Sequence, residues 1–134
     1  PAQFRINFVA FVNEVKLKGA TPILCTPVAR RKFDENGQLI PTHGIYPDII
    51  RQVATQYDVS LIDMEKITSQ WLQQEGVEVS KKYFHKFPPG VSKLYPQGLD
   101  DNTHFNELGA KIVAEMFVKE VKNKHINRLM SFLK

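Results

Sequence analysis

Asp101 and His104 stand three residues apart in the run Asp100-Asp101-Asn102-Thr103-His104-Phe105-Asn106. A carboxylate that accepts the imidazole Nδ1–H fixes the ring's tautomer and stabilises the imidazolium, leaving Nε2 free as a base. The pair could therefore form the base half of a hydrolytic triad. Asp100 competes for the orienting role, but a spacing of three residues favours Asp101. The matching nucleophile half is absent. Cys25 sits in the apolar run Pro22-Ile23-Leu24-Cys25 and reads as a small buried hydrophobe rather than a nucleophile. His43 and His85 fall in long loops and read as solvated or hydrogen-bonded side chains, and His125 has no functional reading. A metal site drawn from Asp100, Asp101, His104 and His85 lacks a recognised ligand spacing, so no metal and no cofactor is expected.

The elements that must position these residues follow from spacing. Apolar residues at Phe4, Phe8, Phe11, Val12 and Val15 predict a helix from Phe4 to about Lys18, with Gly19 as its stop. Thr21 to Thr26 reads as a short buried strand. A second helix is expected over Asp48 to Tyr57, a second strand over Val59 to Asp63, and a third helix from about Met64 to Gln74, ending near Gly76. Asp63 reads as the cap of that third helix. The last long helix starts at Asn106, whose side-chain oxygen can satisfy orphan N–H groups in the first turn. Gly109 in that turn costs helix stability, which points to a close approach there.

This alternation predicts an α/β fold with parallel strands joined by right-handed crossovers. Only about two strands are evident, and two strands alone leave edges and faces open. Two long loops remain, about Pro27 to Pro47 and Lys82 to Asp101, with Asp101 and His104 read as loop residues. Asn36-Gly37 suggests a small hairpin in the first loop. That loop leaves the carboxyl end of a strand, where ligands bind in parallel sheets.

The chain has 134 residues, enough for one domain with a single core. Its formal net charge of +4 is modest, and the basic side chains around Lys119, Lys122, Lys124 and Arg128 read as a solvated helix face. No recognition motif supports a nucleic-acid partner. No stretch is long and apolar enough to span a bilayer. A single cysteine excludes an internal disulfide and leaves the compartment open. The chain begins directly in a helical pattern without an initiator Met, which suggests a processed product or a fragment.

The block Asp101-Asn102-Thr103-His104-Phe105-Asn106, followed by Gly109-Ala110, resembles the last motif of SGNH (GDSL-type) hydrolases, and within them the rhamnogalacturonan acetylesterase branch. Thr26-Pro27-Val28-Ala29-Arg30-Arg31, with Phe33, Gly37 and Thr42-His43-Gly44-Ile45-Tyr46-Pro47, resembles the same branch. The resemblance runs from about Phe4 to Val121. It implies a flavodoxin-like three-layer α/β/α fold and hydrolysis of acetyl esters on a pectic polysaccharide, in a periplasmic or extracellular setting. It also implies that Asp101 orients the imidazole and that His104 is the general base.

The family's Gly-Asp-Ser and Gly-x-Asn-Asp blocks have no counterpart here, and Ser60, Ser69, Ser80, Ser92 and Ser131 lie in no such setting. Residues 1–134 are therefore expected to form the C-terminal part of one SGNH domain, without its nucleophile block and inactive alone. Arg30 and Arg31 are candidate substrate contacts, because guanidinium groups bind galacturonate carboxylates bidentately. The alternative for them is ordinary surface charge or an internal pair with Asp34 or Glu35. An esterase for another ester and a non-catalytic binding or assembly module remain open. An exposed sheet edge would favour homo-oligomers.

Overall fold

A computed structural model describes residues 1–133. Helix α1 (Ala2–Leu17) leads into strand β1 (Ile23–Cys25), helix α2 (Tyr46–Gln56), strand β2 (Ser60–Ile62) and helix α3 (Met64–Val79). A short 3-10 turn, Ser80–Tyr83, then precedes strands β3 (Phe84–Phe87) and β4 (Leu99–Phe105), helix α4 (Glu107–Asn123) and the single turn α5 (Asn127–Met130). The predicted helices and the first two strands are all present, with ends shifted by a few residues.

Strands β1 and β2 pair in parallel, Leu24 opposite Leu61 and Cys25 opposite Ile62. Side chains alternate across a strand, so each strand serves two cores. Leu24 and Leu61 pack on Val12 of α1 and on Ile49, Ile50 and Val53 of α2. Ile23 and Ile62 face the other way, against Met64, Phe117, Val121 and Ile126. Helices thus cover both faces of a two-stranded parallel sheet, in the three-layer α/β/α order expected. A third core, with Trp71, Leu72, Tyr83 and Phe84, joins α3 to the β3–β4 hairpin.

The segment Lys82 to Asp101 departs from the loop expected of it. It holds the antiparallel β3–β4 pair, in which Phe84 faces Phe105, Lys86 faces Asp100 and Phe87 faces Leu99. Asp101 and His104 therefore lie within β4. The hairpin escapes sequence reading because β4 is rich in Asp and Asn, which strands disfavour, and because its register breaks half-way. Cys25 also differs from its expected burial: it is exposed, at the end of β1 where the sheet opens onto a cavity.

The first long loop is ordered. Phe33 bridges Leu39, and the Asp34 carboxylate accepts N–H bonds from Asn36 (2.9 Å) and Gln38 (2.8 Å), closing the expected hairpin. Gln73 of α3 holds it from outside, accepting from Leu39 N–H and donating to the Gly37 carbonyl. Helix α3 is interrupted at Gly76, with φ 72° and ψ −179°, a conformation open essentially to glycine alone.

Candidate active site

The dyad sits on a bulge. Between the Phe84–Phe105 and Lys86–Asp100 pairs, residues 101–104 of β4 face His85 alone. Extra residues on one strand cannot join the ladder, so they bend away and re-aim their side chains. Asp101 stabilises the excursion from within: Oδ1 accepts the N–H of Thr103 (2.6 Å) and of His104 (2.9 Å). Its Oδ2 lies 2.7 Å from His104 Nδ1. The two backbone N–H groups, then the ring, hold the Asp101 carboxyl down at about 2. It is thus ionised at neutral pH and can only accept, so the proton between them belongs to Nδ1. Nε2 is left on a side chain that is 76% exposed. Asp100 does not compete, since its carboxylate bonds Lys86.

The downstream end of the bulge is fixed by Asn106. Its Oδ1 accepts Gly109 N–H (3.0 Å) as the α4 cap, while its Nδ2 donates to the carbonyls of Lys82 (2.8 Å) and Phe84 (3.1 Å). The helix start lies so close to the Tyr83 carbonyl that a Cβ at Gly109 would stand 2.2 Å from that oxygen. The close approach expected of Gly109 is present.

Arg30 and Arg31 part company. Arg30 is exposed and borders a cavity of about 580 Å³ with Arg31, Lys32, Pro41, Thr42, Asn102 and Thr103, beside the bulge. Arg31 is 9% exposed, and its guanidinium donates to Ser80 Oγ, Asn102 Oδ1 and the Val77 carbonyl, with Phe33 beneath it. Neither Asp34 nor Glu35 is among these partners. A larger cavity of about 670 Å³ lies at the end of β1, lined by Phe4, Phe8, Cys25, His43 and Tyr46, and it shares Arg30 and Thr42 with the first. Burial, with Arg30 nearby, lowers the His43 pKa, and partial desolvation beside the cavity pushes the exposed Cys25 thiol up, away from thiolate character. His104 lines neither cavity. Among the described residues no group of His, Cys, Asp and Glu could hold a metal.

Sequence reading passed over Arg51. It bonds Asp48 (2.7 Å), both oxygens of Asp63 (2.8 Å each) and Glu65 (2.5 Å), while Asp63 also accepts from Thr26 Oγ1 (2.9 Å). Partial burial would raise the Asp63 pKa, but the Arg51, Thr26 and Lys66 N–H bonds outweigh it and leave it lowered. Asp63 caps α3 as expected, and the same carboxylate ties the ends of β1 and β2 to α2. Nothing local in the sequence marks a charge cluster assembled from α2, β2's end and α3.

No family model matches the chain. The rhamnogalacturonan acetylesterase RhgT of Bacillus subtilis (strain 168) is 40% identical over 119 residues, covering 89% of this chain and 51% of RhgT. Over that span the chain is similar to a rhamnogalacturonan acetylesterase. A probable rhamnogalacturonan acetylesterase of the same organism, YesY, is 30% identical over 132 residues, 98% of this chain and 55% of YesY. The chain thus spans about half the length of these acetylesterases. The crystal structure of the Bacillus subtilis protein YXIM superposes with a TM-score of 0.75 at 27% identity, over 93% of this chain and 32% of that one.

Proposed function

We propose that this chain carries the base half of a serine acetylesterase site acting on acetylated pectic polysaccharide. The observation that carries the reading is the 2.7 Å Asp101–His104 contact with Nε2 left exposed. In that role Nε2 takes the proton from a serine hydroxyl as the oxygen attacks the acetyl carbonyl, then returns it to the departing sugar oxygen. Water hydrolyses the acyl-serine by the same relay. The serine and the oxyanion donors would come from sequence outside this chain, because no serine hydroxyl is a hydrogen-bond partner of His104 among the described residues. Arg30, with Lys32, borders the cavity beside the bulge and suits a galacturonate carboxylate. The names of RhgT and YesY support the substrate class.

The chain alone should not hydrolyse p-nitrophenyl acetate above background. Mixed with or fused to the N-terminal half of RhgT, it should gain activity that His104→Ala abolishes. Activity of the chain alone that vanishes in His104→Ala would overturn the division of labour. A reconstituted enzyme indifferent to His104→Ala would overturn the assignment of the base. Arg30→Ala in that enzyme should raise KM for acetylated pectin while sparing p-nitrophenyl acetate, and unchanged pectin kinetics would remove Arg30 from the site.

A further inference from the structure

The bonds that Asp101 makes to Thr103 and His104 all close within the bulge itself. They shape the turn but do not attach it to the rest of the protein, and the β3 ladder grips only its two ends. Its middle is held from the opposite side by Arg31. The Arg31 backbone N–H donates to the Asn102 carbonyl at 2.9 Å, and Nη1 donates to Asn102 Oδ1 at 2.7 Å. A guanidinium has no acceptor, so the atom it meets must be the amide oxygen, which fixes the Asn102 side chain as well as its backbone.

The other end of Arg31 is anchored in rigid structure. Nε donates to Ser80 Oγ at 2.9 Å, where Ser80 is fully buried, and Nη2 donates to the Val77 carbonyl. That carbonyl is presented just after the Gly76 break in α3. The Phe33 ring lies 5.5 Å from the guanidinium carbon. The acceptors that meet the guanidinium are neutral, and the Asp100 and Glu78 carboxylates favour its charge only from a distance, so its burial is a costly way to stabilise a fold. Fixing a geometry explains the arrangement better: three diverging acceptors match the planar fork of Arg and would not match the point charge of Lys.

We propose that Arg31 is a positioning residue, whose guanidinium bond to Asn102 holds the β4 bulge so that the Asp101 carboxylate meets His104 Nδ1. This deepens the esterase reading and rests on it for its catalytic meaning. Arg31 acts through Asn102: it lines the same cavity as Arg30, but its guanidinium is taken up by Ser80, Asn102 and Val77, whereas Arg30 is exposed.

The test reads the His104 ring directly, on this chain as it stands, by long-range ¹H–¹⁵N correlation at a pH where the ring is neutral. The wild-type ring should be the Nδ1–H tautomer, held by Asp101. Arg31→Met and Asn102→Ala should each convert it to a mixture of tautomers. The Asp101 carboxyl, followed by ¹³C, should then titrate higher than in the wild type. Val53→Ala, a truncation in the α1–α2 core away from the β3–β4 hairpin, should lower Tm and leave the tautomer intact. If Arg31→Met does not fold, Asn102→Ala decides, because it leaves the Ser80 and Val77 bonds in place. An unchanged tautomer in Asn102→Ala would overturn the proposal, as would its loss in Val53→Ala. Because no activity is measured, failure of a reconstituted esterase would leave this result standing.

Discussion

At the residue scale, Asp101 serves three N–H donors with one carboxylate, and its protonation should be felt in stability. Its folded pKa of about 2 lies below the roughly 3.9 of an unfolded aspartate, so between these values the unfolded chain binds more protons. The stabilisation is complete above the unfolded value and is lost as pH falls toward 2. Thermal melts from pH 6 to pH 2 should therefore show a steeper fall in Tm for the wild type than for Asp101→Asn. Parallel curves would mean that the bonds do not persist in solution. His104→Ala should leave Tm nearly unchanged, since the side chain is 76% exposed. In a reconstituted enzyme, Asp101→Asn should lower kcat on the order of 10³–10⁴-fold by releasing the ring tautomer, with KM little altered.

At the element scale, two glycines, Gly109 in α4 and Gly76 in α3, set the backbone around the bulge by different physics. A Cβ at Gly109 would collide with the Tyr83 carbonyl, so α4 would have to move away from the start of β3. Gly109→Ala should cost about 1–3 kcal/mol in urea unfolding and perturb the His104 tautomer, because Asn106 links helix and bulge. Gly76 has open space around it, so Gly76→Ala meets no atom. Its cost, about 1–3 kcal/mol, comes from backbone strain alone. Relaxing that strain would swing the Val77 carbonyl off Arg31. A Gly76→Ala variant as stable as the wild type would show that the break is not required.

At the scale of the whole molecule, β1 and β2 have only each other as neighbours among the described residues. Helix α1 carries apolar groups around its circumference, and Ile6, Phe11 and Leu17 are exposed while Val12 is buried. An open strand edge beside an apolar helix face favours association. Light scattering should show concentration-dependent dimers or larger species that Phe11→Lys reduces. A monodisperse monomer across the range would contradict this.

The sequence by itself determined the local elements and put forward the chemistry. Helical spacing placed α1, α2 and α4, apolar runs bounded by prolines placed β1, and the Asp-x-x-His spacing anticipated the contact between Asp101 and His104. These signals are legible because each is a pattern among near neighbours. What the tertiary structure decided is long-range. The β3–β4 pairing, the bulge it extrudes and the Arg51 cluster each join residues from separate segments, and no local pattern records such meetings. Adjacent Arg30 and Arg31 look equivalent in sequence, yet one is solvated at a cavity and the other is buried against Ser80 and Asn102. A side chain's role follows from which partners the fold brings within hydrogen-bond reach, and the chain must close its cores before those partners exist.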